Sequence, residues 1–82
     1  MRKEQLSTED QKRIYYICMY LKESRLNSGY TQSEVAEETG LSRNSISKIE
    51  RGGTFRIQHL LLLADFYDIR LIDLFENFIP KV

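Results

Sequence analysis

Arg43, Asn44, Ser47, Lys48 and Arg51 are the side chains whose type and spacing point to chemistry in this chain. At about 100° per residue they fall within one arc of a helix, and Ser45, Ile46, Ile49 and Glu50 lie opposite. Arginine bonds in bidentate fashion to O6 and N7 of guanine, asparagine to N6 and N7 of adenine, and lysine to guanine or a phosphate. Such a face can therefore read base edges in a major groove, while Ile46 and Ile49 anchor its back to a core. Other chemistry is poorly represented. Cys18 is the only cysteine and His59 the only histidine, which excludes a disulfide framework and any zinc site built from several such ligands. The carboxylates are scattered with no nucleophile, base or metal set around them, so neither an enzyme nor a cofactor is expected.

The elements that must position this face are legible from caps and stops. Thr8-Glu9-Asp10-Gln11 has the form of a capping box, and Ile14, Ile17, Cys18 and Leu21 follow at helical spacing. These predict a first helix from about Glu9 to Asn27, ended by Gly29. Tyr15, Tyr16 and Tyr20 spread around it and are expected to flank the core, as is the small apolar Cys18. Thr31-Gln32-Ser33-Glu34 is a second capping box and opens a short helix through Thr39, with Val35 and Ala36 inside. Gly40 supplies the left-handed stop, Ser42 caps a third helix to about Arg51, and Gly52-Gly53 ends that one. Thr54 is the expected cap of a fourth helix from Phe55 to about Tyr67, and Leu71 to Phe78 forms a short fifth. No strand alternation or repeat interrupts the pattern, and Pro80 suits a helical chain ending near there. The expected fold is a single all-α domain of five helices.

Bulk properties narrow the partners. With 82 residues the chain has room for one modest core. Its longest wholly apolar stretch, Leu60 to Ala64, cannot cross a bilayer, and the charged N-terminus lacks a signal-peptide core, so a soluble cytoplasmic protein without membrane contact is expected. Twelve basic and twelve acidic side chains cancel overall, yet their placement is uneven. Arg43, Lys48, Arg51 and Arg56 face Glu50 alone between Leu41 and His59, whereas acids dominate on either side. A local basic patch is what phosphate contacts require. Gln32, in the first turn of the second helix, can add a donor to a phosphate held by the free amides there. Arg51 and Arg56 bracket the Gly52-Gly53 loop and can hold a second stretch of backbone.

The stretch Leu21 to Phe75 resembles the phage repressor and Cro (Xre) type of helix-turn-helix family. The resemblance is carried by Leu21-Lys22 with Arg25, Tyr30 to Ala36, Gly40-Leu41-Ser42-Arg43, Ser45 to Gly52, and Leu60 to Ala64 with Leu71, Leu74 and Phe75. It implies a compact lambda-repressor-like domain whose second helix crosses the backbone of double-stranded DNA while the third enters the major groove. Gln32 then meets phosphate, and Ser42, Arg43, Asn44, Ser47 and Lys48 lie at or near bases. The resemblance also implies an ion pair between Arg25 and Glu50, which makes Glu50 structural.

The chain departs from the family pattern in its C-terminal third. Leu62 and Ile72 stand where polar residues are usual, Phe66 where a small one is common, and Phe55 where a proline often begins the fourth helix. Leu62, Phe66 and Ile72, with Phe78, Ile79 and Val82, give more apolar surface than one small domain buries, the mark of an interface. The expectation is a homodimer through Leu62, Phe66, Ile72, Phe78 and Ile79, acting as a transcription regulator on a palindrome. The same surplus also suits a protein-interaction module, an antitoxin-like adaptor whose apolar surface holds another protein partner.

Overall fold

The computed structural model describes residues 6–53 and 55–76. Five helices follow one another: α1 (Thr8–Ser28), α2 (Gln32–Thr39), α3 (Arg43–Glu50), α4 (Ile57–Phe66) and α5 (Leu71–Glu76). The all-α, five-helix expectation holds, and no strand occurs among the described residues.

Local hydrogen bonds explain most of the boundaries. The cap of α1 is Ser7, one residue before the expected Thr8, and its hydroxyl accepts from the Asp10 amide at 3.1 Å. The Thr8–Gln11 box does not form, because Gln11 donates its side-chain amide to the Leu6 carbonyl instead. Ser7 caps at least as well as the β-branched Thr8, and it leaves Glu9 and Asp10 in the first turn against the positive end of the helix dipole. The second box forms as expected: Thr31 Oγ1 accepts from the Glu34 amide and Glu34 Oε1 from the Thr31 amide. Ser42 caps α3, accepting from the Ser45 amide at 3.0 Å.

The stops follow the same logic. The amides of Gly52 and Gly53 reach back to the carbonyls of Ile49 and Lys48, both at 2.9 Å, with Gly52 in the left-handed region at φ 88°. A Cβ on Gly53 would stand 2.9 Å from the Lys48 carbonyl oxygen, so this turn is built against the end of α3. Helix α4 closes by the same pattern, but a non-glycine residue, Asp68, takes the left-handed position at φ 58°.

The start of α4 differs from expectation. The helix begins at Ile57, not Phe55, and its cap is Arg56, which makes no side-chain capping bond. Phe55 instead folds against the core; this is the physical reason for the later start, since its aromatic ring gains more from burial than from an exposed first turn. The expected cap Thr54 and the extension of α5 to Phe78 lie outside the described residues.

One core holds the helices together. Ile17, Cys18 and Leu21 come from α1, Val35 from α2, Ile46 and Ile49 from α3, Leu60, Leu63 and Ala64 from α4, and Leu74 from α5. Cys18 is fully buried, as its apolar neighbours predict, and burial pushes its thiol pKa up. No described helix is long and apolar enough to cross a membrane.

Candidate nucleic-acid interface

Helix α3 is fixed from behind. Ile46 and Ile49 are 1% and 2% exposed, and Glu50 is buried beside them at 7%. The Glu50 carboxylate accepts from Arg25 Nε at 2.8 Å and from Arg25 Nη2 at 3.0 Å, a bidentate ion pair from the end of α1 to the end of α3. Arg25 Nη1 donates to the Tyr30 carbonyl at 2.9 Å, and the Gln32 side-chain amide donates to Glu50 Oε1 at 3.0 Å. Two helix ends, the connection between α1 and α2, and the first residue of α2 are thus tied together through one ion pair. The bonds to Glu50 hold the Arg25 guanidinium above its ordinary pKa even though burial works against the charge. Tyr67 stands close enough to feel both charges; its hydroxyl is pushed up to about 12, chiefly by burial and next by the Glu50 charge, with Arg25 opposing.

Gln32 takes part in this network. Its amide was expected to serve phosphate, but one of its N–H groups is committed to Glu50 and the side chain is half-buried. Sequence spacing cannot reveal that competition, because Glu50 is eighteen residues away.

On the opposite side of α3, Ser42, Arg43, Asn44 and Lys48 are exposed and Ser47 is half-buried, so the outer arc is open from the cap onward. Arg43 shares a cleft with Gln32 and Ser33, which places the first turn of α2 beside the first turn of α3. Arg51 caps the end of α3 and is exposed. Arg56 is exposed and lies with Lys48 and His59 around a second cleft, beside Ser45, Ile49 and Phe55. His59 is the member that sequence reasoning missed as part of this surface. Its position one turn after Arg56 was the available signal.

The residues expected at an apolar interface differ in exposure. Leu62 and Ile72 are 41% and 59% exposed. Phe66 is not free in the same sense: it is half-buried, its ring 5.1 Å from that of Tyr30 and 5.2 Å from that of Tyr67. Tilted and edge-to-face ring contacts give it partners within the chain, a use that helical periodicity does not disclose. Phe78 and Ile79 lie outside the described residues. At 100° per residue, Ile57 and Leu61 occupy the other shoulder of α4, and Ile57 joins Ile14, Ile17, Phe55, Leu60 and Phe75 around an apolar depression.

Residues 21–74 match the model of a family described as helix-turn-helix. The chain belongs to that family, in its phage repressor and Cro (Xre) type. The matched span runs from the buried Leu21 to the buried Leu74, so it takes in the whole core except Ile17 and Cys18. A Pyrococcus furiosus protein named "Putative HTH-type transcriptional regulatory protein" is 36% identical over 66 residues, covering 76% of this chain. The chain spans only 21% of that relative's length, so the likeness concerns the helix-turn-helix domain. No solved structure matches the chain.

Proposed function

We propose that this chain is a sequence-specific regulator of transcription that binds double-stranded DNA as a homodimer, on an operator with two-fold symmetry. The coarser part rests on the family, which is one of DNA-binding transcription regulators. The observation that carries base readout is the two-sidedness of α3. Its back is pinned by Ile46, Ile49 and the Arg25–Glu50 pair, leaving Arg43, Asn44 and Lys48 exposed on a helix that cannot roll. In this motif the N-terminal residues of the reading helix meet base edges. We assign base contacts to Ser42, Arg43, Asn44, Ser47 and Lys48, and phosphate contacts to Arg51 and Arg56. Gln32 contributes through its second N–H and the amides of its turn.

A dimer supports this reading energetically, since one small domain reaches few phosphates and a two-fold pair doubles them. The exposed Leu62 and Ile72 supply apolar surface for it. The apolar depression between α1, α4 and α5 favours a second reading, in which the chain also holds a different protein there.

Selection of sites from a random DNA pool tests the proposal. Two half-sites about one helical turn, roughly 10 base pairs, or a multiple apart are expected. In the same assay Arg43→Ala and Asn44→Ala should each relax one position per half-site, at about 1–3 kcal/mol per lost bidentate contact. Equal losses on selected and random DNA would remove base readout from the proposal.

A further inference from the structure

The cleft shared by Lys48, Arg56 and His59 concentrates positive charge without an acid to balance it. Ser45, Lys48 and Ile49 line it from α3, Phe55 and Arg56 from the connection, and His59 from α4. Arg13, Arg25 and Arg70 each pair with a carboxylate. The side chains of Lys48, Arg56 and His59 have no hydrogen-bond or ion-pair partner among the described residues. Cations that converge around one concavity repel each other in the free protein, and an anion seated among them relieves that repulsion. Lys48 also stands on the outer arc of α3, one turn beyond Asn44, so the cleft opens at the border of the face assigned to DNA.

We propose that this cleft seats one backbone phosphate of bound duplex DNA, held by Lys48, Arg56 and a protonated His59, so that histidine protonation tightens DNA binding whatever the base sequence. The inference rests on the DNA-binding reading above and adds a pH dependence to it. Histidine is the side chain whose charge ordinarily changes between about pH 5 and 8, and a phosphodiester stays ionised throughout that range. The groups facing His59 are Lys48 from α3 and Arg56 from the connection; within its own helix the residues one turn on are Leu62 and Leu63. A phosphate seated beside His59 favours the imidazolium over the neutral ring. Binding therefore takes up a proton, which by linkage makes affinity rise as pH falls.

The test measures binding of the full chain to a random-sequence duplex and to a pool-selected operator, by fluorescence anisotropy at about pH 5.5 and 8, with wild type and His59→Gln. Wild type should bind both duplexes more tightly at the lower pH by at least about threefold. Its salt slope should steepen there by up to about 0.9, the value of one neutralised phosphate. His59→Gln, checked for an unchanged melting temperature, should lose both effects and keep its preference for the operator. The single histidine also gives one unambiguous imidazole resonance, whose titration midpoint should rise when either duplex is added to the wild type, a measurement that needs no variant. Binding that is equally pH-sensitive in both proteins, or a midpoint that bound DNA does not move, overturns the phosphate seat and leaves the DNA-binding reading intact. Failure of the wild type to bind either duplex at either pH overturns that reading and this inference together.

Discussion

Replacing Glu50 with alanine is expected to destabilise the domain more than any change to an exposed residue. The carboxylate accepts from two nitrogens of Arg25 and from Gln32. Its loss leaves the Arg25 guanidinium, on a residue only 9% exposed, with one remaining bond, to the Tyr30 carbonyl at 2.9 Å. Arg25 cannot escape by losing its proton, so the outcome is a buried, unpaired cation. Breaking such a pair from one side costs about 3–5 kcal/mol. A domain of this size has a total stability of about 4–12 kcal/mol, so the variant loses a large share of it. In thermal denaturation followed by far-ultraviolet circular dichroism, the midpoint should fall by about 12–40 °C. Glu50→Gln keeps an acceptor and should fall between the two. The double variant Arg25→Met with Glu50→Leu removes both charges and keeps the volume, and it should recover to within about 1–2 kcal/mol of wild type. A loss under about 1 kcal/mol for Glu50→Ala, the value of a solvent-exposed pair, would refute the claim that α3 is locked by a desolvated ion pair.

Tyr67→Phe should change the alkaline limb of the stability curve. The folded-state pKa of about 12 lies above the ordinary tyrosine value of 10.0, so the folded protein holds this proton more tightly than the unfolded chain. The resulting stability is present below pH 10 and is lost as pH rises toward about 12; the variant should lack this part of the decline in denaturation midpoints. Gly53→Ala would bring a Cβ within 2.9 Å of the Lys48 carbonyl oxygen. It should cost about 1–3 kcal/mol by overcrowding, and a neutral result in urea denaturation would show that the turn yields freely. For the dimer, Leu62→Glu and Ile72→Glu should each shift sedimentation equilibrium from dimer toward monomer. A monomeric wild type of unchanged mass in both variants would dismiss that interface.

The fold was legible where the deciding bonds are local. Thr31 with Glu34, Ser42 with Ser45, and the glycines at 40 and 52 act within three to five residues, and each places a helix end where the sequence put it. At α1 the cap is Ser7 where the pattern pointed to Thr8, because two adjacent hydroxyls compete for one role. Helical periodicity likewise separated Ile46, Ile49 and Glu50 from Arg43 and Asn44, since both groups lie on one rigid element. Resemblance to the family supplied the Arg25–Glu50 pair, which spacing alone does not imply.

By itself, then, the sequence determined five helices, the caps of α2 and α3 and the two faces of α3, because hydrogen bonds within a few residues and the 3.6-residue period are properties of the local chain. Tertiary structure alone decided where Gln32 spends its amide, that Phe66 meets the rings of Tyr30 and Tyr67, and that Phe55 packs inward while α4 starts at Ile57. It alone also gathered Lys48, Arg56 and His59 around one cleft. The physical reason is common to all four. Each depends on distances between helices, and those are set by how the ten buried apolar side chains of five different segments pack at once.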